Sequence, residues 1–354
     1  MDLAYKTAVV LKATAAQGLR QELIVECDGE EAQAVNFLEL TGPCRVGDQV
    51  VINTTAVDLK LGTGGWHFVM AIWGRSASLH GVGHIMKLRY TPMQGRVLSV
   101  EEEASEYHHL FQGDWSLEGA PVMVGSLHSM LAPCAFAFKA RHPGKRLAYL
   151  MSDGAGLPLA LSRTVPDLKA RGLVDAVITF GHAFGGDYEA VNIYSALVAA
   201  RHACGADAVV VLMGPGVVGT GTKWGTTALE QGVFLNAVHH LQGTPIALVR
   251  MSEADPRPRH RGVSHHTLTV LGQIALPGCV VPLPACCRGH KDVVSTLQDL
   301  NHTLTWHDTE ALFREMLEAG LKVTTMGRGP QTDPLFFHAA LAGGLEGAQH
   351  ITAT

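Results

Sequence analysis

Short apolar runs separated by turn residues dominate the first third of the chain. They lie at residues 6–14, 20–27, 50–52, 61–70, 85–90 and 95–100. Gly47 and Asp48 precede the run at 50–52, and a turn of this type before β-branched residues indicates a hairpin. Short, closely spaced strands are typical of small barrels and sandwiches. We therefore predict a small β-rich domain over residues 1–112.

After Pro121 the pattern changes, because apolar runs of strand length begin to alternate with segments of helix length. Strands are predicted at 121–124, 147–151, 174–180, 207–213, 245–250, 279–283 and 322–326. Helices are predicted at 127–140, 157–171, 188–203, 226–241, 265–272, 288–300 and 309–319. Such alternation requires crossover connections. Residues 113–354 are therefore predicted to form an α/β domain with a mostly parallel, doubly wound, Rossmann-like sheet.

Polar residues concentrate in the loops that follow the predicted strands. These loops are 125–129, 152–156, 181–189, 214–223, 251–263 and 327–329. The loops that lead from helix to strand, such as 142–146 and 205–207, contain fewer polar candidates for a binding site. In a parallel sheet every strand-to-helix loop lies at one edge, where ligands bind. The candidate site is therefore predicted at the carboxyl edge of the sheet.

The loop after the predicted strand 207–213 matches GxGxxG by letter, as Gly214-Pro215-Gly216-Val217-Val218-Gly219. Glycines let backbone N–H groups approach an anion closely. The motif does not open the domain, and no acidic residue follows at the distance that ribose binding requires, so a dinucleotide site is disfavoured. A tight turn without a ligand is the alternative to anion binding. The anion-binding candidates in this loop are Gly214, Gly216, Gly219, Thr220, Thr222 and Lys223.

The segment from Arg257 to His266 combines three arginines with three histidines inside a long loop. Long loops in compact domains are usually functional or disordered. Arg257, Arg259 and Arg261 are predicted to bind a phosphate or carboxylate, and His265 or His266 to transfer a proton near neutral pH. A solvated basic loop is the alternative.

A metal ion on the histidines of this segment is a less favoured hypothesis. His260, His265 and His266 would bind it together with a carboxylate such as Asp255. Adjacent histidines on one helical turn are expected to diverge, so the sequence-based prediction includes no metal ligands.

Four further polar residues at predicted strand ends complete the candidate site. Asp187 follows two glycines and is the third catalytic candidate, as a group that orients the substrate or a metal. Asp153, His128 and His182 are candidates for substrate binding, although for Asp153 the sequence favours capping of the next helix.

Charge and cysteine content restrict the function classes. The net charge of −5 and the pI near 6.4 argue against nucleic acid and against an anionic membrane as partners. The seven cysteines contain no CxxC pair, and the first residues show neither a basic region nor an apolar run. No apolar stretch approaches the ~20 residues of a membrane span. A cytoplasmic protein with reduced thiols is therefore expected.

Several segments together resemble a known family. They are Leu61–Val69, Ser152–Ala155, Gly214–Thr222 and Arg259–His266. The family is a bacterial one of about this length, known as a domain of unknown function. The resemblance implies a bacterial, cytosolic protein and supplies no activity.

Two hypotheses for the function follow. The first is an enzyme that acts on a small anionic metabolite, phosphorylated or carboxylated, at the carboxyl edge of the sheet. The alternative is a non-catalytic metabolite-binding or assembly protein that uses the same crevice. The sequence specifies no cofactor, and it leaves a homo-oligomer open.

Overall fold

A computed structural model describes residues 2–61, 64–289 and 291–351, except for the side chains of 291–294. The chain divides into two compact units, Met1–Val97 and Leu98–Thr354.

The first unit contains a closed five-stranded barrel, which confirms the predicted β-rich domain as a barrel. Its strands are β1 (Tyr5–Ala13), β2 (Arg20–Cys27), β3 (Glu30–Phe37), β4 (Gln49–Asn53) and β5 (His67–Ile72), in the order β1-β2-β3-β5-β4. Two short helices, α1 (Leu38–Thr41) and α2 (Thr55–Asp58), and a separate pair of strands, β6 (Ile85–Lys87) and β7 (Gly95–Val97), complete the unit.

Alternation along the strands explains the barrel interior. In β2, Leu23 and Val25 are buried while Glu22 and Glu26 are more exposed. The period of two directs successive side chains to opposite faces. Val50 and Ile52 of β4 join the same interior.

The second unit is built on one eight-stranded sheet, which confirms the predicted Rossmann-like architecture. Its strands are β8 (Pro121–Val124), β9 (Leu147–Ser152), β10 (Ala176–Phe180), β11 (Tyr188–Ala190), β12 (Ala208–Met213), β13 (Thr244–Ala247), β16 (Val280–Pro284) and β17 (Thr303–His307). The order is β11-β10-β9-β12-β8-β13-β16-β17, and every pairing is parallel. A separate antiparallel pair is formed by β14 (Met251–Ser252) and β15 (Gly262–Val263).

Helices cover both faces of this sheet. They are α3 (Leu131–Arg141), α4 (Thr164–Ala170), α5 (Ile193–Val198, continued by a π-helical turn at Ala199–Ala203), α6 (Glu230–His240), α7 (His265–Gln273), α8 (Lys291–Gln298), α9 (Glu310–Glu318) and α10 (Pro334–Gln349). Strands β8, β9 and β12 are buried along their whole length. Burial on both faces explains why these strands appear in the sequence as continuous apolar runs.

Two predicted elements differ in the structure. The run 322–326 is not a strand, and its Thr325 forms an isolated bridge to Arg328. The edge strand is instead β17, whose sequence Thr-Leu-Thr-Trp-His alternates polar and apolar residues. A half-polar strand suits an edge position, and pairing with β16 decides which run joins the sheet. The predicted helix at 188–203 begins as strand β11.

The division between the units falls earlier in the chain than residue 112. Val100 is buried in the core of the second unit, and its N–H donates to the carbonyl of Glu189 at 2.8 Å. The N–H of Val191 donates to the Glu101 carboxylate at 2.8 Å. The segment after Leu98 therefore belongs to the α/β unit.

Helix α10 is buried along almost its whole length, and the sequence analysis did not predict it. Buried residues occupy all its sides, so it lacks the amphipathic period that marks a surface helix. Glycines permit close packing: a Cβ on Gly344 would stand 2.1 Å from the carbonyl oxygen of Cys134 in α3. None of the described helices combines the length and apolar character needed to cross a membrane.

Candidate functional site

Two loops meet at the carboxyl edge of the sheet and enclose a small pocket. The first is the glycine-rich loop, residues 214–226, which follows β12, and the second is the basic segment, residues 250–266, which follows β13. The pocket has a volume of about 100 Å³. It is lined by Val217, Val218, Gly219, Gly221, Arg250, Arg257, Arg259, His260, His266 and Met326.

The glycine-rich loop is held by its own hydrogen bonds. Gly219 and Thr226 form an antiparallel bridge, and the Thr220 N–H donates to the Gly225 carbonyl at 2.8 Å. Gly216 and Gly221 have φ of 107° and 79°, a backbone region that favours glycine. The loop therefore has a defined conformation, and Gly219 and Gly221 face the pocket.

The basic segment is also ordered by local structure. Strands β14 and β15 pair and close the loop at its base. A 3₁₀ turn at Pro258–His260 forms its tip. Ser264 then caps α7, because its side chain accepts a hydrogen bond from the N–H of His266. The N-terminus of α7 thus points to the same region as the arginines.

Asp255 organises the arginines of the segment. It is fully buried and accepts two hydrogen bonds of 2.9 Å from the side chain of Arg257. Arg328 and Arg250 lie 3.2 and 3.5 Å from the same carboxylate. Burial acts to raise the pKa of Asp255, but the hydrogen bonds from Arg257 outweigh it and hold the pKa below its ordinary value. Asp255 is therefore a structural anion that fixes three guanidinium groups.

A second buried carboxylate supports the cluster from the side. Asp333 accepts a hydrogen bond of 2.6 Å from Ser252 and one of 3.0 Å from Arg328. The described carboxylates of Asp255 and Asp333 pair with three arginines, Arg250, Arg257 and Arg328. Two more arginines belong to the same segment: Arg261 bonds the backbone of Asp255, and Arg259 lines the pocket. Arg259 makes no ion pair with any residue that the structure describes, and its guanidinium lies 3.6 Å from where a Cβ would stand on Gly221. The pocket consequently carries excess positive charge.

Three histidines lie beside the arginines. One ring nitrogen from each of His260, His265 and His266 falls within 4.8 Å of the others. The rings of His265 and His266 have centroids only 4.1 Å apart, so the expected divergence of these neighbours is wrong. Side chains at the start of a helix lean toward its N-terminus, and this tilt brings both rings toward His260.

These histidines are neutral at physiological pH. Burial, followed by the charges of Arg250 and Arg257, lowers the pKa of His260 to about 3. Burial, His265 and Arg250 lower the pKa of His266 to about 4. The pKa of His265 is also lowered, by burial and by Arg259. In the free protein the rings are therefore weak bases that retain a free lone pair.

Asp187 does not join this pocket. Its carboxylate accepts a hydrogen bond of 2.9 Å from the N–H of Val177, near the start of β10, and pairs with Lys169. The loop after β10 returns along the sheet, because the short parallel strand β11 must begin at the amino edge. Asp187 thus lies at the amino end of β10, opposite the edge that the sequence predicted.

Asp153, His182 and His128 lie in strand-to-helix loops but have structural partners. The Asp153 carboxylate accepts a hydrogen bond of 2.7 Å from the N–H of His182. His128 contacts the hydroxyls of Tyr149 at 3.1 Å and Ser162 at 2.8 Å. Burial lowers the pKa of His128 to about 4. None of these three lines the described pocket.

The remaining predicted residues do not line the pocket. Thr220 and Thr222 hydrogen-bond each other at 2.9 Å, and Lys223 lies over the ring of Trp224. Gly214 is required for packing, since a Cβ there would stand 2.3 Å from the carbonyl oxygen of Gly156. Arg261 donates to the backbone carbonyl of Asp255 at 2.9 Å.

Sequence analysis missed Arg250, Arg328 and Asp333 as members of the site. Arg250 is 3% exposed and interrupts the apolar run that ends β13, which is a usable signal of a paired or functional charge. Asp333 and Arg328 join from a distant part of the chain, and no local pattern indicates that contact.

Comparison with known proteins places the chain in a family. A search of the curated proteins found no match. A family model matches residues 33–344, which include strands β4 and β5 of the barrel, the glycine-rich loop and the basic segment. The chain therefore belongs to the family described as "Protein of unknown function (DUF3866)".

Proposed function

We propose that this chain is an enzyme that acts on a small phosphorylated or carboxylated metabolite, bound in the pocket between the glycine-rich loop and the basic segment. The observation that carries the proposal is the excess of guanidinium groups over buried carboxylates in that pocket. Arg250 and Arg257 are fixed by Asp255, whereas Arg259 has its guanidinium free for a ligand. Planar guanidinium groups bind phosphate and carboxylate in bidentate geometry.

The position and size of the pocket support the same conclusion. The N-terminus of α7 contributes the positive end of a helix dipole. A drug-sized ligand needs a pocket of ~300–1,000 Å³, and this pocket has a volume of about 100 Å³. It therefore suits one anionic group of a metabolite, with the rest of the molecule outside.

A bound anion would also change the histidines. Burial, and after it the charges of neighbouring groups, lower the pKa of His265 and His266, and the anion would offset the part that Arg250, Arg257 and Arg259 cause. Both pKa values would therefore rise, which makes the rings better proton acceptors. Substrate binding would then prepare His265 or His266 for catalysis, and a non-catalytic sensor would need no such change.

A cytoplasmic location is part of this proposal. All seven cysteines are free thiols in the structure, which suits a reducing compartment where phosphorylated metabolites are abundant.

Anion-induced stabilisation of the purified protein tests the proposal. Melting is measured with increasing inorganic phosphate, pyrophosphate and small dicarboxylates, against sodium chloride of equal ionic strength. A specific anion at 100 times its Kd stabilises the folded state by about 2.7 kcal/mol. Arg259→Ala should leave the unliganded melting temperature unchanged and remove the anion effect, whereas the exposed Arg45→Ala in the barrel should preserve it.

Two results would contradict the proposal. One is stabilisation by every anion no greater than that by chloride. The other is an equal response of the wild type and the Arg259→Ala variant, which would place the anion elsewhere.

A further inference from the structure

Two of the three histidines of the basic segment have buried ring nitrogens without a hydrogen-bond partner. Nε2 of His265 and both ring nitrogens of His266 are buried and have no hydrogen-bond partner in the described structure. His266 is 4% exposed, so its ring is largely shielded from bulk solvent. A buried polar atom without a partner is unfavourable, and three such nitrogens side by side point to a ligand that would bind them.

The third histidine is held in an orientation that suits a ligand. Nδ1 of His260 lies 2.7 Å from Oγ of Ser264, and the same oxygen accepts the N–H of His266. When Nδ1–H donates to Ser264, Nε2 of His260 keeps its lone pair. Metal-binding histidines are oriented in this way, by a hydrogen bond from the nitrogen that does not bind the metal.

We propose that His260, His265 and His266 together bind one divalent metal ion of the zinc class. Their three nitrogens already lie within 4.8 Å of one another. A tetrahedral Zn²⁺ with bonds of ~2.0–2.1 Å needs ligand nitrogens about 3.3 Å apart, which small rotations of the rings would achieve. Three imidazoles without a thiolate favour Zn²⁺ and its first-row neighbours over Mg²⁺ or Ca²⁺.

Charged groups surround the three histidines. Arg250, Arg257 and Arg259 line the pocket together with His260 and His266. The same arginines repel a dication, and Asp255 and Asp333 offset part of that repulsion. An anion in the adjacent pocket would offset more of it, so metal and anion should strengthen each other's binding. This coupling rests on the proposed function, whereas the metal site itself does not.

Three protein ligands leave one position open for water or substrate, as in catalytic rather than structural zinc sites. His260 and His266 both line the pocket, so the open position would face the bound anion. The metal would then polarise the substrate or activate a bound water. In that case the histidines act as metal ligands, and proton transfer no longer depends on their titration.

Metal binding by untagged full-length protein tests the proposal. The protein is stripped with EDTA and titrated with Co²⁺ as a spectroscopic probe, then with Zn²⁺ in competition. We expect one equivalent of Co²⁺, with the visible bands of a nitrogen-bound four- or five-coordinate ion, displaced by Zn²⁺. His265→Ala should weaken binding by more than the ~10–100-fold that loss of an outer-shell partner costs. The exposed His239→Ala in α6 serves as the matched control and should bind as the wild type does.

Partly exposed His265 is chosen because its loss should leave the fold intact, and circular dichroism checks this. His266→Gln is a second variant that keeps a polar side chain. Absence of stoichiometric binding in the wild type, or equal binding by wild type, His265→Ala and His266→Gln, would overturn the proposal. The anion site and the metal site are tested separately by measuring phosphate stabilisation of the EDTA-treated protein. Phosphate can stabilise a protein that binds no metal, and a protein that binds metal can lack phosphate stabilisation.

Discussion

A Cβ on Gly219 would stand 3.5 Å from Cε1 of His266, so the loop after β12 touches the first turn of α7. Strands β12 and β13 are separated in the sheet by β8. Their loops nevertheless meet above the carboxyl edge, where the pocket forms. This contact makes one site of two motifs that lie far apart in the sequence.

The contact predicts a graded effect of side-chain size at Gly219. A Cβ alone meets His266 and Thr226 at 3.5 Å, which is ordinary van der Waals contact, so Gly219→Ala should fold and bind phosphate normally. Gly219→Val places two further methyl groups at the wall of the pocket and should weaken phosphate binding at least ~10-fold. Calorimetric titration of both variants measures the difference. Equal affinities would show that the anion does not occupy this pocket.

Asp255 should be essential for folding stability. Asp255→Asn removes the charge that fixes Arg250, Arg257 and Arg328, and breaking a buried ion network by loss of one partner costs about 3–5 kcal/mol. The matched change Asp28→Asn affects a surface pair with Lys6, with side chains 69% and 47% exposed, and should have little effect on the free energy of unfolding. Urea denaturation at pH 7 compares the two. A similarly small loss of stability in both variants would mean that Asp255 does not hold the arginines in place.

The buried histidines should destabilise the free protein as the pH falls. The unfolded chain binds protons at histidine below pH ~6.5, whereas His266 in the folded state binds one only near its pKa of about 4. The unfolded state therefore binds more protons in this window, and stability falls on acidification, by on the order of 3 kcal/mol from His266 alone. Stability above pH 6.5 does not depend on this group.

Urea denaturation between pH 7 and 4.5 measures how steeply the free energy of unfolding depends on pH. This dependence should be weaker in the His266→Gln variant than in the wild type. Saturating phosphate should also weaken it, because a bound anion raises the pKa of the histidines. A slope that is the same in the wild type and the variant would show that His266 is not buried as a neutral ring.

Close packing of α10 on α3 predicts a strong effect at Gly344. A Cβ there would stand 2.1 Å from the backbone carbonyl oxygen of Cys134, which cannot move without displacing α3. Gly344→Ala should therefore cost at least ~1–3 kcal/mol, although alanine favours helices. Gly144→Ala, in open space before β9, is the control and should be nearly neutral. Equal melting temperatures of the two variants would contradict the close packing of α10 on α3.

The sequence predicted much of the fold because its signals are local. Buried parallel strands appear as continuous apolar runs, and alternation in β2 and β4 marks the barrel wall. Helix α10 was missed because it is buried on all sides and has no amphipathic period. Strand β17 was missed because half of its residues are polar, so only its pairing with β16 identifies it.

The candidate site was predictable where it consists of one segment. Arg257, Arg259, His260 and His266 are grouped in sequence and remain grouped in the pocket. Arg328 and Asp333 come from the loop that leads into α10, through contacts that no spacing in the sequence reveals. Asp187 was predicted at the carboxyl edge because its loop follows β10, but β11 returns the chain to the amino edge.

The central claim is that the two loops form one anion site, and a crystal structure of the protein with saturating inorganic phosphate tests it most directly. We predict phosphate density within hydrogen-bonding distance of the Arg259 guanidinium, between Gly219–Gly221 and the first turn of α7. Phosphate bound only elsewhere, with this pocket free of it at a concentration that stabilises the protein, would contradict the account.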